Sequence, residues 1–269
     1  MKMKGEAMSL SSIKGDFSEK THERPWGQMA YKRFWVDTSA LSGDVKPGIL
    51  FLGGFASSMA GSKATFLMEM AKAEGRDCVV FDYKGHGASD GKFEEGTVGE
   101  WCDDAISVCD QLTRGPQIVI GSSMGGWLML LLAKRRPERV KALIGLASSP
   151  GFTERLFFDR LLEEERQTLL KKGVVHTVLG GTPYTISKNL IEEARGHLIK
   201  EPLCFKFPVH LIHGDEDPVV SWAISHELLL DIRAPLVQFS LIQGGDHSLS
   251  RSKDLAFLRS VVQTFSTLT

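Results

Sequence analysis

Three residues of this chain sit where their chemistry is conspicuous: Ser123 between two glycines, Asp217 in an acidic turn and His247 near the C-terminal end. Ser123 is the centre of Gly121-Ser122-Ser123-Met124-Gly125, with the run Gln117-Ile118-Val119-Ile120 before it and the apolar Trp127-Leu128-Met129-Leu130 after it. A strand passing through Gly-x-Ser-x-Gly into a helix strains the serine backbone, so Gly121 and Gly125, two residues either side, must lack side chains. The bend also lifts the hydroxyl over a helix N-terminus, where free backbone N–H groups stabilise an oxyanion. The chemistry this implies is nucleophilic acyl transfer. It needs a base to take the serine proton and a carboxylate to hold that base in the right tautomer.

Eight histidines compete for the role of base. His247, in Gly244-Gly245-Asp246-His247-Ser248, follows the last strand expected from the sequence and precedes the last helix, where a loop presents a ring to Ser123. For the acid, Gly214-Asp215-Glu216-Asp217-Pro218 crowds three carboxylates at the end of the preceding strand. Asp217 is far enough out on the turn to reach back, whereas Asp215 and Glu216 read as solvated or turn-capping. The other loop that such sheets use for an acid, after 140–147, offers Ser148, Ser149 and Pro150 and no carboxylate, which strengthens Asp217. The order nucleophile, acid, base suits a parallel sheet with its site at the strands' C-terminal edge. Two N–H donors complete the oxyanion hole. Met124 is expected to give one, and Phe55, after Gly53-Gly54, the other.

The elements that must position these groups alternate. Strands are expected at 28–36, 47–54, 77–83, 116–122 and 140–147, and helices at 62–73, 97–112 and after Ser123. After residue 202, strands at 208–213 and 236–242 flank a helix at 223–231, and a helix at 252–264 ends the chain. Such alternation means βαβ units and an α/β fold, a mostly parallel sheet with helices on both faces. It breaks between 151 and 201. There 153–166 reads as an amphipathic helix that Gly173 ends after Lys171 and Lys172, 180–183 as a loop and 187–199 as a second amphipathic helix, together a small helical cap (151–201) inserted between a core of 1–150 and its continuation 202–269.

Composition narrows the function classes. The 269 residues suffice for one sizeable domain with an insertion, and 42% apolar with 24% charged residues describes an ordinary globular chain. Lys+Arg 32 against Asp+Glu 33 leaves a formal charge of −1, without the basic field that gathers nucleic acid. Cys78, Cys102, Cys109 and Cys204 show neither metal-site spacing nor the density of a disulfide framework, so reduced thiols, no metal and no cofactor are expected. No run is long and apolar enough to span a bilayer, and 1–20 reads as neither signal nor transit peptide. The expected compartment is the cytoplasm, or the mitochondrial matrix for a chain that has lost a presequence. Oligomeric state is left open.

The cap suggests the substrate. Phe152, Leu156, Phe157, Phe158, Leu161 and Leu162 exceed what a surface helix needs, so Phe157 and Phe158, with Trp127 from the helix after Ser123, are candidate walls for an acyl group. Lys63, in the first turn of the helix beginning near Ser62, opposes the helix dipole. It is read either as a contact for an anionic leaving side or as a solvated lysine.

Taken together, Gly121-x-Ser123-x-Gly125, Asp82-x-x-Gly85-x-Gly87-x-Ser89, His213-Gly214-x-x-Asp217-x-x-Val220 and Asp246-His247 resemble the α/β-hydrolase family from about Ile49 to the end of the chain. Gly61-Ser62-Lys63-Ala64, Phe81-Asp82-Tyr83, Glu94-Glu95 and the stretch 115–129 are similar to one subgroup, mitochondrial palmitoyl-protein thioesterases that also hydrolyse acyl glucuronides. Gly53 stands where many members carry histidine, and Ser221 where a proline is common. The resemblance implies triad roles for Ser123, Asp217 and His247. The expected function is a serine hydrolase that cleaves carboxylic esters or thioesters through an acyl-enzyme, its partner a small acyl ester or thioester or an acylated protein. A carboxylate-nucleophile hydrolase is disfavoured, because Ser123 holds that position. Alternatives are a pocket-retaining receptor with little turnover, and a peptidase or carbon–carbon hydrolase on the same triad.

Overall fold

The computed structural model describes residues 15–37, 46–179 and 181–268. Strands β1 (Gly15–Arg24) and β2 (Gly27–Val36) form an antiparallel hairpin. Then β3 (Gly48–Leu52), α1 (Ser62–Glu74), β4 (Cys78–Phe81), α2 (Val98–Leu112), β5 (Gln117–Ser122), α3 (Met124–Arg135) and β6 (Val140–Leu146) alternate. Every residue of β3, β4 and β5 is buried, as it must be for strands covered on both faces. One apolar layer packs Trp101, Trp127, Leu128 and Val119 on the α2 and α3 side of the sheet, and the other packs Leu67, Met70, Ile120 and Phe265 on the opposite side.

Local signals account for the helix ends. Thr97 caps α2, its hydroxyl accepting the Glu100 N–H at 3.3 Å. Gly75 closes α1 in the left-handed region at φ 63°. Helix α3 ends on Lys134 and Arg135, just before Pro137.

Between β6 and the next core strand the chain leaves the sheet, and here the structure departs from two continuous helices. A π-helical turn Thr153–Phe157 and a 3₁₀ turn Phe158–Arg160 are followed by α4 (Glu163–Lys172), β7 (Val174–Leu179), β8 (Thr182–Ser187) and α5 (Lys188–Ala194). The break falls at Leu161 and Leu162, both extended. Glu163, Glu164 and Glu165 favour a new helix N-terminus, and Glu165 accepts the Leu162 N–H at 2.8 Å. Residues 174–187 form an antiparallel hairpin instead of a loop and a helix start. Two β-branched runs either side of Gly180-Gly181 carry that signature. Gly180 itself lies outside the described residues.

The chain rejoins the core through β9 (Leu203–Cys204), β10 (Val209–Gly214), α6 (Trp222–Asp231), β11 (Ile232–Arg233), β12 (Val237–Ile242) and α7 (Ser252–Thr267). The eight-stranded sheet runs β1-β2-β4-β3-β5-β6-β10-β12. All pairings from β4 onward are parallel. Strand β1, in a stretch to which the sequence assigns no element, pairs along its whole length with β2. It is a mostly exposed edge strand, so no apolar alternation marks it.

Candidate active site

Ser123 sits between β5 and α3 with φ 54° and ψ −117°, a conformation that costs strain for any residue with a side chain. The flanking glycines make it affordable. A Cβ on Gly121 would strike the Gly125 carbonyl, and one on Gly125 would strike the carbonyl of Leu52 on β3. The bend thus requires close backbone approach on both sides. Met124 is the first residue of α3, where a backbone N–H lacks an intrahelical acceptor.

His247 and Asp217 converge on this serine from two adjacent loops. His247 Nε2 is 3.1 Å from Ser123 Oγ, and its Nδ1 is 2.7 Å from Asp217 Oδ2. A carboxylate only accepts, so Nδ1 carries the hydrogen and Nε2 presents its lone pair to the serine hydroxyl. The loops are held together by close backbone contact: a Cβ on Gly214 would strike Gly245, and the Glu216 N–H donates to the Gly245 carbonyl at 3.0 Å. Asp215 accepts the Gly244 N–H at 2.6 Å, so it pins the same junction. Asp246 accepts the Leu249 N–H at 2.9 Å and the Ser248 hydroxyl at 3.0 Å, closing the turn after His247.

The Asp217 side chain is almost fully buried. Burial works to raise its carboxyl, but hydrogen bonds from His213 and His247, the His247 charge and the Val220 N–H outweigh it and hold the group well below the usual carboxylate range. Its Oδ1 accepts the N–H groups of Val219 and Val220 at 2.8 and 2.9 Å.

The loop after β3 lies against Ser123, since a Cβ on Gly54 would sit 3.4 Å from Ser123 Cβ. In that loop the Ala56 N–H donates to His86 Nε2 at 3.2 Å and the Ser57 N–H to the Gly54 carbonyl at 3.2 Å. His86 Nδ1 in turn donates to the Lys84 carbonyl at 3.1 Å. Burial pushes this imidazole down to about 4, so it is neutral at physiological pH and can accept from the loop. His86 therefore braces the Phe55 loop, a role not evident from its position in the sequence.

A cavity of about 310 Å³ opens beside Ser123 and His247. One end is apolar, walled by Phe55, Phe152, Leu156, Phe157, Leu179 and Tyr184. The Phe55 ring is the hub of this wall, with ring centroids of Phe152, Tyr184 and Phe157 at 5.2, 5.5 and 5.6 Å. The other end is polar, with Ser57, Ser58, Ser62, Lys63 and Ser248. Lys63 donates to the Ser248 carbonyl, next to His247, and lies 3.5 Å from Ser250 Oγ. Burial lowers its ammonium, partly opposed by Asp246.

Two expected wall residues lie elsewhere. Phe158 is outside the cavity, with the Arg166 and Arg195 guanidinium groups 4.8 and 5.0 Å from its ring centroid. Consecutive side chains of a helical turn point in different directions, and here Phe157 faces the cavity while Phe158 does not. Trp127 is fully buried behind the wall, edge-on to Phe152, and its Nε1 donates to the His197 carbonyl at 3.2 Å. Leu161 is buried and Leu162 exposed. Tyr184 and Leu179 were missed because they belong to the hairpin read as loop and helix.

Residues 47–177 match the family model for the alpha/beta hydrolase fold. The bovine mitochondrial palmitoyl-protein thioesterase ABHD10 is 37% identical over 235 residues, covering 86% of this chain and 74% of that protein. The chain belongs to the α/β-hydrolase family. Among solved structures, mouse alpha/beta hydrolase domain-containing protein 10 superposes with a TM-score of 0.81 at 35% identity, covering 92% of this chain and 97% of that one. A protein from Agrobacterium vitis S4 gives 0.83 at 29% identity, covering 94% of this chain and 99% of that one. The likeness to the α/β-hydrolases thus extends well beyond the elbow motif. Among the described residues no group of His, Cys, Asp and Glu could hold a metal, and no helix is long and apolar enough to cross a membrane.

Proposed function

We propose that this α/β-hydrolase is a serine hydrolase that cleaves carboxylic esters or thioesters, with Ser123 as nucleophile, His247 as general base and Asp217 as the orienting acid. The observation that carries the reading is the relay of 3.1 and 2.7 Å from Ser123 through His247 to Asp217, at the floor of a cavity with an apolar end. Ser123 attacks the acyl carbon as His247 takes its proton. The oxyanion that forms is stabilised by the Met124 and Phe55 N–H groups, and His247 returns the proton to the leaving alcohol or thiol. Water, activated by the same imidazole, releases the acid. The relatives carry the name palmitoyl-protein thioesterase, which supports a thioester as one substrate form and an acylated protein as one partner.

The apolar end takes the acyl group, and the segment 151–201 acts as the cap that shapes it. A volume of about 310 Å³ is near the small end of ligand cavities, so a medium-length acyl group fits best. The test is a comparison of kcat/KM for acyl esters and thioesters of graded length, alongside labelling by a serine-directed phosphonate. Rapid turnover of medium acyl substrates with label on Ser123 is expected. Absence of both overturns the reading.

The cysteines are unpaired, which suits a reducing compartment such as the cytosol or the mitochondrial matrix. The relatives' mitochondrial names favour the matrix, and imaging of the tagged full-length protein decides between them.

A further inference from the structure

His213 carries no role in the relay just described, yet its ring is completely buried against Asp217. It sits near the end of β10, and its Nε2 faces two oxygens, Asp217 Oδ2 at 3.1 Å and the Val220 carbonyl at 3.0 Å. Neither a carboxylate nor a carbonyl can donate, so Nε2 must carry a hydrogen. Nδ1 faces the fully buried hydroxyl of Ser225, on α6, at 2.7 Å. With Nε2 protonated, the Ser225 hydroxyl donates to the Nδ1 lone pair, which fixes both tautomer and ring orientation.

We propose that His213, oriented by Ser225, is a positioning residue for the catalytic acid: it donates to Asp217 Oδ2, the same oxygen that accepts from His247, and sets the direction and hydrogen-bonding strength of that oxygen. The proposal rests on the triad reading above. With Val219 and Val220 on Oδ1 and two imidazoles on Oδ2, the Asp217 carboxylate has four donors and no freedom to rotate. The His213 hydrogen bond draws charge away from the side that meets His247, so it restrains how strongly Asp217 stabilises the imidazolium.

The consequence is a pH signature. Losing the His213 donor leaves Oδ2 more basic toward His247, so the His247 imidazolium is stabilised and the acid limb of kcat/KM moves to higher pH. Among the described residues, the charged groups around the two loops include Asp215 and Glu216 in the acid turn, Asp246 beside His247, Arg251 on the Gly244 carbonyl, and Lys63 reaching over from α1. All stay in place in the variants below.

Three variants test it. His213→Leu removes the donor, His213→Gln restores an amide N–H near the Nε2 position, and Ser225→Ala removes the orienting hydroxyl with the least threat to folding. Each is checked by circular dichroism and phosphonate labelling before pH profiles are taken. The expected result for His213→Leu is a 10- to 100-fold loss in kcat with little change in KM and an upward shift of the acid limb, of which His213→Gln recovers a large part. Ser225→Ala is expected to lose about three- to tenfold in kcat with a smaller shift of the same sign. A wild-type acid limb in folded His213→Leu, or wild-type kcat and profile in Ser225→Ala, overturns the role of His213. Should His213→Leu not fold, Ser225→Ala alone decides. Failure of the triad reading looks different: the wild-type protein itself would then take no label at Ser123.

Discussion

Ser123 Oγ lies 3.1 Å from Nε2 of His247, although 124 residues separate them, and the side-chain-free backbones at Gly121 and Gly125 make that approach possible. Ser123→Ala therefore removes the bond-forming atom while keeping the bend, since alanine adds no bulk where serine already fits. Turnover is expected to vanish, with thermal stability and binding of a product-like acid nearly unchanged. A serine-directed phosphonate is expected to label Ser123 in the wild type. Label of equal intensity on the alanine variant would place the nucleophile elsewhere.

Asp217 and Asp215 share one turn but have different partners, His247 for the first and the Gly244 N–H for the second. Asp217→Asn and His247→Ala are expected to lower kcat on the order of 10³-fold or more, because the asparagine amide disturbs the imidazole tautomer and the alanine removes the base. Asp215→Asn keeps an acceptor oxygen and is expected to cost less than about tenfold. Steady-state rates on one activated ester decide, and a reversed ranking would move the acid to Asp215.

Most of the core was legible in the sequence because its strands are buried on both faces and its helices carry ordinary caps. The buried runs of β3, β5 and β10, Thr97 before α2 and Gly75 after α1 each announce themselves locally. Ser123, Asp217 and His247 were legible for a related reason: each lies where a strand ends. The segment after Gly151 was harder to read. Phe157 and Leu161 have helical spacing, but the three glutamates from 163 restart the helix, and the hairpin strands 174–187 are too polar on their outer face to stand out. Which of two adjacent phenylalanines faces the cavity depends on how the whole segment packs on the core, and spacing alone does not encode that.

The phenylalanine pair supplies the next test. Phe157 lines the cavity, whereas Phe158 packs on Arg166 and Arg195. Each buried methylene contributes about 0.8 kcal/mol, so kcat/KM is expected to climb several-fold per added carbon and then level off as the cavity fills. Phe157→Ala is expected to flatten that climb or move its plateau to longer chains, and Phe158→Ala to leave its shape unchanged. A flat wild-type profile from two carbons upward would remove the acyl pocket.

Acid sensitivity follows from two histidines remote from the relay's proton transfer. Burial pushes both His86 and His210 down to about 4, opposed in His86 by its bond to the Lys84 carbonyl. Their unfolded value is about 6.5, so between roughly pH 6.5 and 4 the unfolded chain binds protons that the folded protein refuses. The stabilisation these neutral rings preserve above that window is lost as pH falls through it. The urea midpoint is expected to drop steadily from pH 7 to pH 4.5, and His210→Gln to make the decline shallower. An equal slope in that variant would assign the effect to other groups.

Lys63 provides the last prediction, and its contacts alter what a substitution should do. Its ammonium reaches across from α1 to the carbonyl of Ser248, directly after His247, while it also lines the polar end of the cavity. A lysine engaged in this way restrains the loop that carries His247. Removing it is expected to slow every substrate, whatever the charge of the leaving group. A hydrogen bond to a charged group contributes about 1.5–3 kcal/mol when well shielded, and partial exposure here reduces it. Lys63→Met is therefore expected to lower kcat about three- to tenfold on a neutral ester and on an ester with a carboxylate leaving side alike, with Lys63→Arg restoring much of the rate. A rise in KM confined to the anionic ester, with kcat unchanged on both, would instead make Lys63 an anion contact, the ammonium then exchanging the Ser248 carbonyl for the substrate carboxylate.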